Sequence, residues 1–171
     1  PMKPASATVN APVPAVELVD VHSLSRPLEA RTTHIDLDWE IDFERRQIRG
    51  SATLKLALKP GVTRCVLDTR DLAIEAVSDV SGRALGYRLG ERDPILGSAL
   101  SVELPAGVDQ IVVRYHTTGA GSGLQWLEAA QTAGGRAPYL FSQAQAIHAR
   151  TMLPCQDSPG VRVTYAAIVR V

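Results

Sequence analysis

The stretch HIDLDWEIDF, residues 34–43, alternates without a break. Ile35, Leu37, Trp39, Ile41 and Phe43 take one parity, and His34, Asp36, Asp38, Glu40 and Asp42 take the other. Successive strand side chains point to opposite faces, so the pattern predicts a strand with one apolar and one acidic face. A helix would scatter the same residues around its circumference. After the polar link Glu44-Arg45-Arg46-Gln47 the alternation resumes with Ile48, Gly50, Ala52, Leu54, Leu56 and Leu58, and Pro60-Gly61 ends it. Two such runs joined by a short polar link predict an antiparallel hairpin.

Outward from this hairpin, short strands are expected at 64–68, 72–77, 85–89, 100–104 and 111–118. Turn formers separate them at Ser81-Gly82, Asp93-Pro94, Gly97-Ser98 and Pro105-Ala106-Gly107. Residues 161–171 alternate again, with Val161, Val163, Tyr165, Ala167, Val169 and Val171 on one face. No segment offers twelve residues of helical periodicity, and no internal repeat is present. The expectation is an all-β protein, a mostly antiparallel β-sandwich or set of packed sheets, with the Gly-rich section Gly119 to Gly123 and Gly134-Gly135 as surface loops.

A chain of 171 residues is one domain by length and buries roughly 70% of the surface its unfolded form exposes. Residues 1–21, rich in Pro and Ala, read as a mobile tail, and residues 22–171 as a single β-domain. Eighteen basic residues balance eighteen acidic ones without a basic stripe, which speaks against nucleic-acid or anionic-membrane partners. Cys65 and Cys155 form no C-x-x-C pair, and two buried free thiols in a reducing compartment are expected. With no continuous apolar leader in the first twenty residues, the cytoplasm is the expected location.

The densest chemistry lies in FSQAQAIHARTMLPCQDSP, residues 141–159. His148, Cys155 and Asp157 have the residue types of a nucleophile, its base and an orienting acid. Leu153-Pro154, however, gives Cys155 an apolar setting that would raise a thiol pKa. The four histidines show no helical pair, H-E-x-x-H is absent, and no Cys/His cluster has zinc spacing. Gln143 and Gln145 are two apart, so in an extended segment both amides would project from one face. Neutral amides cannot act as bases, but they can accept from an ammonium and donate to a carbonyl. Spacing leaves two readings open: the amides recognise a peptide end, or they satisfy buried backbone groups. Arg150 could pair with Asp157 and lock the loop.

The run QAQAIHARTMLPCQDSP resembles the signature Q-x-Q/E-A, then A/C-R, then P-C-x-D-x-P, of the N-terminal domain of gluzincin aminopeptidases. GLQWLEAAQTAGGRAPYLFSQ is similar to the leukotriene A hydrolase and aminopeptidase B branch. HIDLDWEIDFERRQIRGSATLKL looks like the opening hairpin of these proteins, and VRVTYAAIVRV like the strand after the P-C-x-D loop. The resemblance implies a saddle-like, multi-sheet β-domain that covers a thermolysin-like catalytic domain, itself absent from this chain. That domain would carry zinc on H-E-x-x-H and a downstream glutamate. This domain would bind no metal and hydrolyse nothing by itself.

Residue by residue, the resemblance places Gln145 on the free α-amine of a peptide substrate, with Gln143 and Ala146 as pocket-lining neighbours. Arg150, Pro154, Cys155 and Asp157 fall on positions that hold the loop. The implied partners are the catalytic domain of the same parent chain and peptide N-termini. A face left uncovered by that domain implies self-association of the isolated domain. The rival reading is a stand-alone β-sandwich module that binds protein or carbohydrate through its loops.

Overall fold

The structure, a computed structural model, describes residues 20–171. The expected tail at 1–21 therefore falls, but for its last two residues, outside the described residues. Within them, ten strands and two three-residue 3-10 turns follow in order.

The opening hairpin is formed by β1 (Ala30–Asp42) and β2 (Gln47–Leu58). They pair antiparallel, with Trp39 opposite Gly50 and Ile41 opposite Ile48. Ile35 is buried, and Leu37 and Trp39 are half-buried on the same face. Asp36, Asp38 and Glu40 face solvent, as the alternation requires. A register shift between Thr32 and His34 marks a bulge.

The expected short strands follow as β3 (Arg64–Thr69), β4 (Leu72–Asp79), β5 (Tyr87–Leu89), β6 (Ser98–Glu103) and β7 (Gln110–Thr117). A further pair, β8 (Leu124–Leu127) and β9 (Tyr139–Ser142), lies where the sequence suggested only loops. Each has four residues, too short for alternation to declare itself. β10 (Thr164–Arg170) closes the chain's strands.

Three sheets result, in the orders β10-β1-β2-β7-β4, β3-β6-β5 and β8-β9. All named pairings are antiparallel except β10, which runs parallel to β1. One contiguous core fills the space between the five- and three-stranded sheets, with Leu54, Leu67, Leu100, Val102, Ile111, Val113 and Tyr115 fully buried. Each such aliphatic side chain contributes about 1.5–3 kcal/mol of apolar transfer energy. The Trp39 indole N–H donates to the buried Tyr115 hydroxyl at 2.8 Å, which satisfies both polar tips at the edge of the core. Phe43 meets Trp126 edge-on with ring centroids 5.5 Å apart, and Arg46 pairs with Glu128. These two contacts fasten the β8–β9 ribbon to the turn of the first hairpin.

Every residue of β10 is exposed. In register, Tyr165, Ala167 and Val169 extend the apolar row of Ile35, Leu37 and Trp39. Tyr165, Ile168 and Val169 stay open to solvent at the sheet's edge. Asp38 and Arg170 pair across the two strands, and the Arg170 guanidinium holds the Asp38 carboxyl below its usual pKa.

Gly50 sits where β1 comes close. A Cβ built there would lie 1.8 Å from the Asp38 carbonyl oxygen, a backbone atom that cannot step aside. Gly50→Val should therefore destabilise the fold by about 1–3 kcal/mol or more, read as a fall in Tm. An unchanged Tm would mean that the hairpin register differs from the one described.

Candidate functional site

The loop between β9 and β10 carries the residues singled out by the sequence, and its far half is anchored in the core. Cys155 forms a two-way backbone bridge to β3: the Asp68 N–H donates to Cys155 O at 2.7 Å, and the Cys155 N–H to Asp68 O at 3.2 Å. The Gln156 side chain, also buried, accepts from the Thr32 N–H at 2.8 Å and donates to Ala30 O at 2.6 Å. It thereby satisfies the backbone that the β1 bulge leaves unpaired.

Arg150 lies at the centre of this anchorage, with no exposed side-chain surface. Its Nε donates to Asp157 Oδ2 at 3.0 Å, Nη1 to Leu96 O at 2.9 Å, and Nη2 to His22 O at 2.8 Å and Asp157 O at 3.0 Å. Asp68, fully buried, stands 3.7 Å from Nη1 as a second counter-charge. Its carboxylate accepts from Ser23 Oγ, the Leu24 N–H and the Asp157 N–H at 2.6–2.9 Å. The expected pairing of Arg150 with Asp157 is present. Asp68 went unnoticed in the sequence, although an acid inside the apolar run RCVLDT was a usable signal.

The trio His148, Cys155 and Asp157 does not assemble as a catalytic group. His148 Nδ1 is 2.8 Å from Ser122 Oγ, and Asp157 is committed to Arg150. Cys155 is buried, and burial first, then the Asp157 and Asp68 charges, push its thiol well above the ordinary value. Such a thiol is protonated and unreactive at neutral pH. Cys65 is also free and buried, with its thiol pushed up to about 12 by burial. Among the described residues no three His, Cys, Asp or Glu side chains gather as a metal site requires.

The glutamines lie at the surface. Gln143, Ala144, Gln145 and Ala146 are all exposed. The extended segment expected for them ends at Ser142, and residues 145–148 form a turn instead. The physical reason is local hydrogen bonding. The His148 N–H donates to Ala144 O at 2.8 Å, and the Gln145 N–H donates to Gln143 Oε1 at 3.0 Å. The Gln145–Ala146 peptide bond is cis. Gln143 thus spends its carbonyl inside the turn, whereas the Gln145 amide takes no side-chain hydrogen bond among the described residues. Ala146 adds a small exposed apolar neighbour. Pro154, by contrast, is buried beside Cys155 in the anchored half.

The exposed turn that carries Gln143 and Gln145 thus stands on a buried Arg–Asp network within an all-β domain. The particular family is clear from comparison. Residues 31–171 match the peptidase M1 N-terminal domain, and the chain belongs to that family. It is 38% identical over 157 residues to leucine aminopeptidase 2 of Phaeosphaeria nodorum, a match covering 88% of this chain and 25% of that protein. It is 36% identical over 160 residues to leukotriene A-4 hydrolase of Xenopus laevis, covering 90% and 26% respectively. The solved structure of yeast LTA4 hydrolase in complex with bestatin superposes with a TM-score of 0.84 at 34% identity, over 92% of this chain and 25% of that one. An M1 zinc metallopeptidase from Deinococcus radiodurans shares the fold at a TM-score of 0.61 and 21% identity. The chain spans about a quarter of the length of the curated relatives it matches.

Two measurements check the anchorage. Arg150→Met leaves the buried Asp68 and the partly buried Asp157 without their counter-charge and should cost about 3–5 kcal/mol of stability, read by urea denaturation; a loss below that of an ordinary surface substitution would contradict the network. The buried thiols set an alkaline limit. Unfolded thiols release protons near pH 9, whereas folded Cys65 holds its proton to about 12. The stabilisation from Cys65 is complete below about 9 and is lost as pH rises toward 12, at about 1.4 kcal/mol per pH unit. The urea midpoint should fall between those limits, and less steeply in Cys65→Ala; equal slopes would place Cys65 in water.

Proposed function

We propose that this chain is the substrate-facing N-terminal domain of a zinc aminopeptidase of the leukotriene A hydrolase and leucine aminopeptidase 2 type. In this reading Gln145 contacts the free α-amine of a peptide, with Gln143 and Ala146 lining the pocket beside it. The observation that carries the proposal is the exposed Gln145 amide, unspent among the described residues, on a turn whose backbone is held by its own bonds and by the buried anchor.

The chemistry suits the role. A neutral amide oxygen accepts from an ammonium, and the amide N–H donates to a carbonyl, but the amide exerts little Coulomb pull. Gln145 therefore orients a peptide end that other charges attract, which is a positioning contribution to catalysis. Zinc and the groups that act with it would belong to the remaining length of the parent protein, since these residues assemble no metal site. By itself the domain would hydrolyse nothing.

The uncovered β10 surface supports the same reading. Tyr165 and Val169, which share one face of β10, are at least half exposed and offer a natural seat for further chain. Relatives about four times as long supply such chain. Two free buried thiols agree with a reducing compartment, and we place the parent in the cytoplasm on that ground.

Gln145→Ala in the full-length parent should lower kcat/KM for aminoacyl substrates by about threefold to tenfold, the worth of one hydrogen bond. The fold should be unaffected, because the side chain is exposed and unpartnered. An unchanged kcat/KM would end the assignment of Gln145 to substrate.

A further inference from the structure

The glutamine turn is short and lies between β9 and the 3-10 turn Ala149–Thr151, and one side of it is held by the segment Gly121-Ser122-Gly123. The Gln143 N–H donates to Gly123 O at 2.8 Å. The Gly123 N–H donates to Thr151 Oγ1 at 3.0 Å, and that hydroxyl donates to His148 O at 2.7 Å. A Cβ on Gly123 would lie 2.6 Å from Thr151 Oγ1 and 2.8 Å from His148 O, so only glycine permits this approach. Between the two glycines, Ser122 Oγ reaches His148 Nδ1 at 2.8 Å and receives the Arg70 Nη2–H. Arg70 is itself fixed, with Nη1 donating to Ile95 O at 2.9 Å and its backbone N–H to Arg150 O at 2.8 Å.

A guanidinium only donates, so the Ser122 oxygen accepts from Arg70, and Ser122 Oγ and His148 Nδ1 share a hydrogen bond whose direction the imidazole tautomer sets. His148 closes the glutamine turn through its own N–H on Ala144 O at 2.8 Å. A continuous path therefore runs from the buried Arg150 anchor through Arg70, Ser122 and His148 to the turn that displays Gln145. Serine beside histidine also has the types of a nucleophile and its base. Here Arg70 occupies the same oxygen, and the neighbouring Gly123 N–H, the nearest candidate for an oxyanion donor, is spent on Thr151. The pair fastens the turn.

Resting on the peptide-binding reading above, we propose that Arg70, Ser122 and His148 are positioning residues that set the direction of the Gln145 amide, and hence affinity for the peptide's N-terminus. Ser122 is exposed and His148 half-buried, so their loss leaves the core intact. The reaction's charges lie elsewhere, so the effect falls on KM.

The test is made in the full-length parent. Ser122→Ala and His148→Leu should each raise KM for aminoacyl substrates by about threefold to tenfold with little change in kcat. His148→Asn, whose side-chain oxygen can accept from Ser122, should restore most of the loss. If both removals leave KM unchanged where Gln145→Ala alters kcat/KM, or if His148→Asn is as impaired as His148→Leu, the proposal falls. If Gln145→Ala itself has no effect, the peptide reading has failed and the fastening is judged by amide hydrogen exchange. Faster exchange at Gln143 and His148 in Ser122→Ala, by about tenfold for one lost bond, upholds it, and unchanged exchange overturns it.

Discussion

A guanidinium buried without any exposed surface is the constraint on which this domain depends. Removing a charge from water costs several kcal/mol unless it is paired and its donors are satisfied. Arg150 meets that cost with Asp157, Asp68 and three backbone carbonyls contributed by Leu96, His22 and Asp157. Those partners come from the segment before β1, from β3, from the turn before β6 and from the site loop itself. Satisfying one side chain thus brings four separated parts of the chain to one point. The geometry is also unforgiving, because each partner left alone would be a buried polar group in low dielectric.

The site inherits its order from that point. The loop after β9 has little regular structure, yet its second half is bridged to β3 at Cys155 and to the β1 bulge by Gln156. What remains exposed is the short turn with Gln143, Gln145 and Ala146. A surface loop with little regular structure keeps one conformation only on a rigid support, and here a buried ionic network supplies it. Cys155 belongs to that support. Its apolar, acid-flanked surroundings keep it protonated, which separates it from thiols that do chemistry.

The fold places the turn and the open edge on different kinds of surface. The glutamines are polar and locally hydrogen-bonded, whereas β10 shows solvent Tyr165, Ile168 and Val169. Strands of the five- and three-stranded sheets share one core, and the apolar row begun by Ile35, Leu37 and Trp39 continues past it onto the exposed β10. Membership of the M1 N-terminal domain family gives this unevenness a context, since the relatives are about four times as long.

Strands with enough residues to show a period were legible from the residues alone. The alternation in HIDLDWEIDF dictated β1, its partner β2 and which face meets the core, because a period of two has a single structural reading. The P-C-x-D run likewise carried the Arg150–Asp157 pairing in its residue types. The four-residue strands β8 and β9 were not legible, being shorter than the pattern that announces a strand. The turn at residues 145–148 was not legible either, because it is closed by the backbone of Ala144 and His148 and not by side-chain parity. Asp68, Ser122 and Arg70 lie 28 to 82 positions from Arg150, and only folding brings them to the site loop. Local periodicity is written in neighbouring residues; the convergence of distant polar groups on one buried charge is decided by tertiary packing.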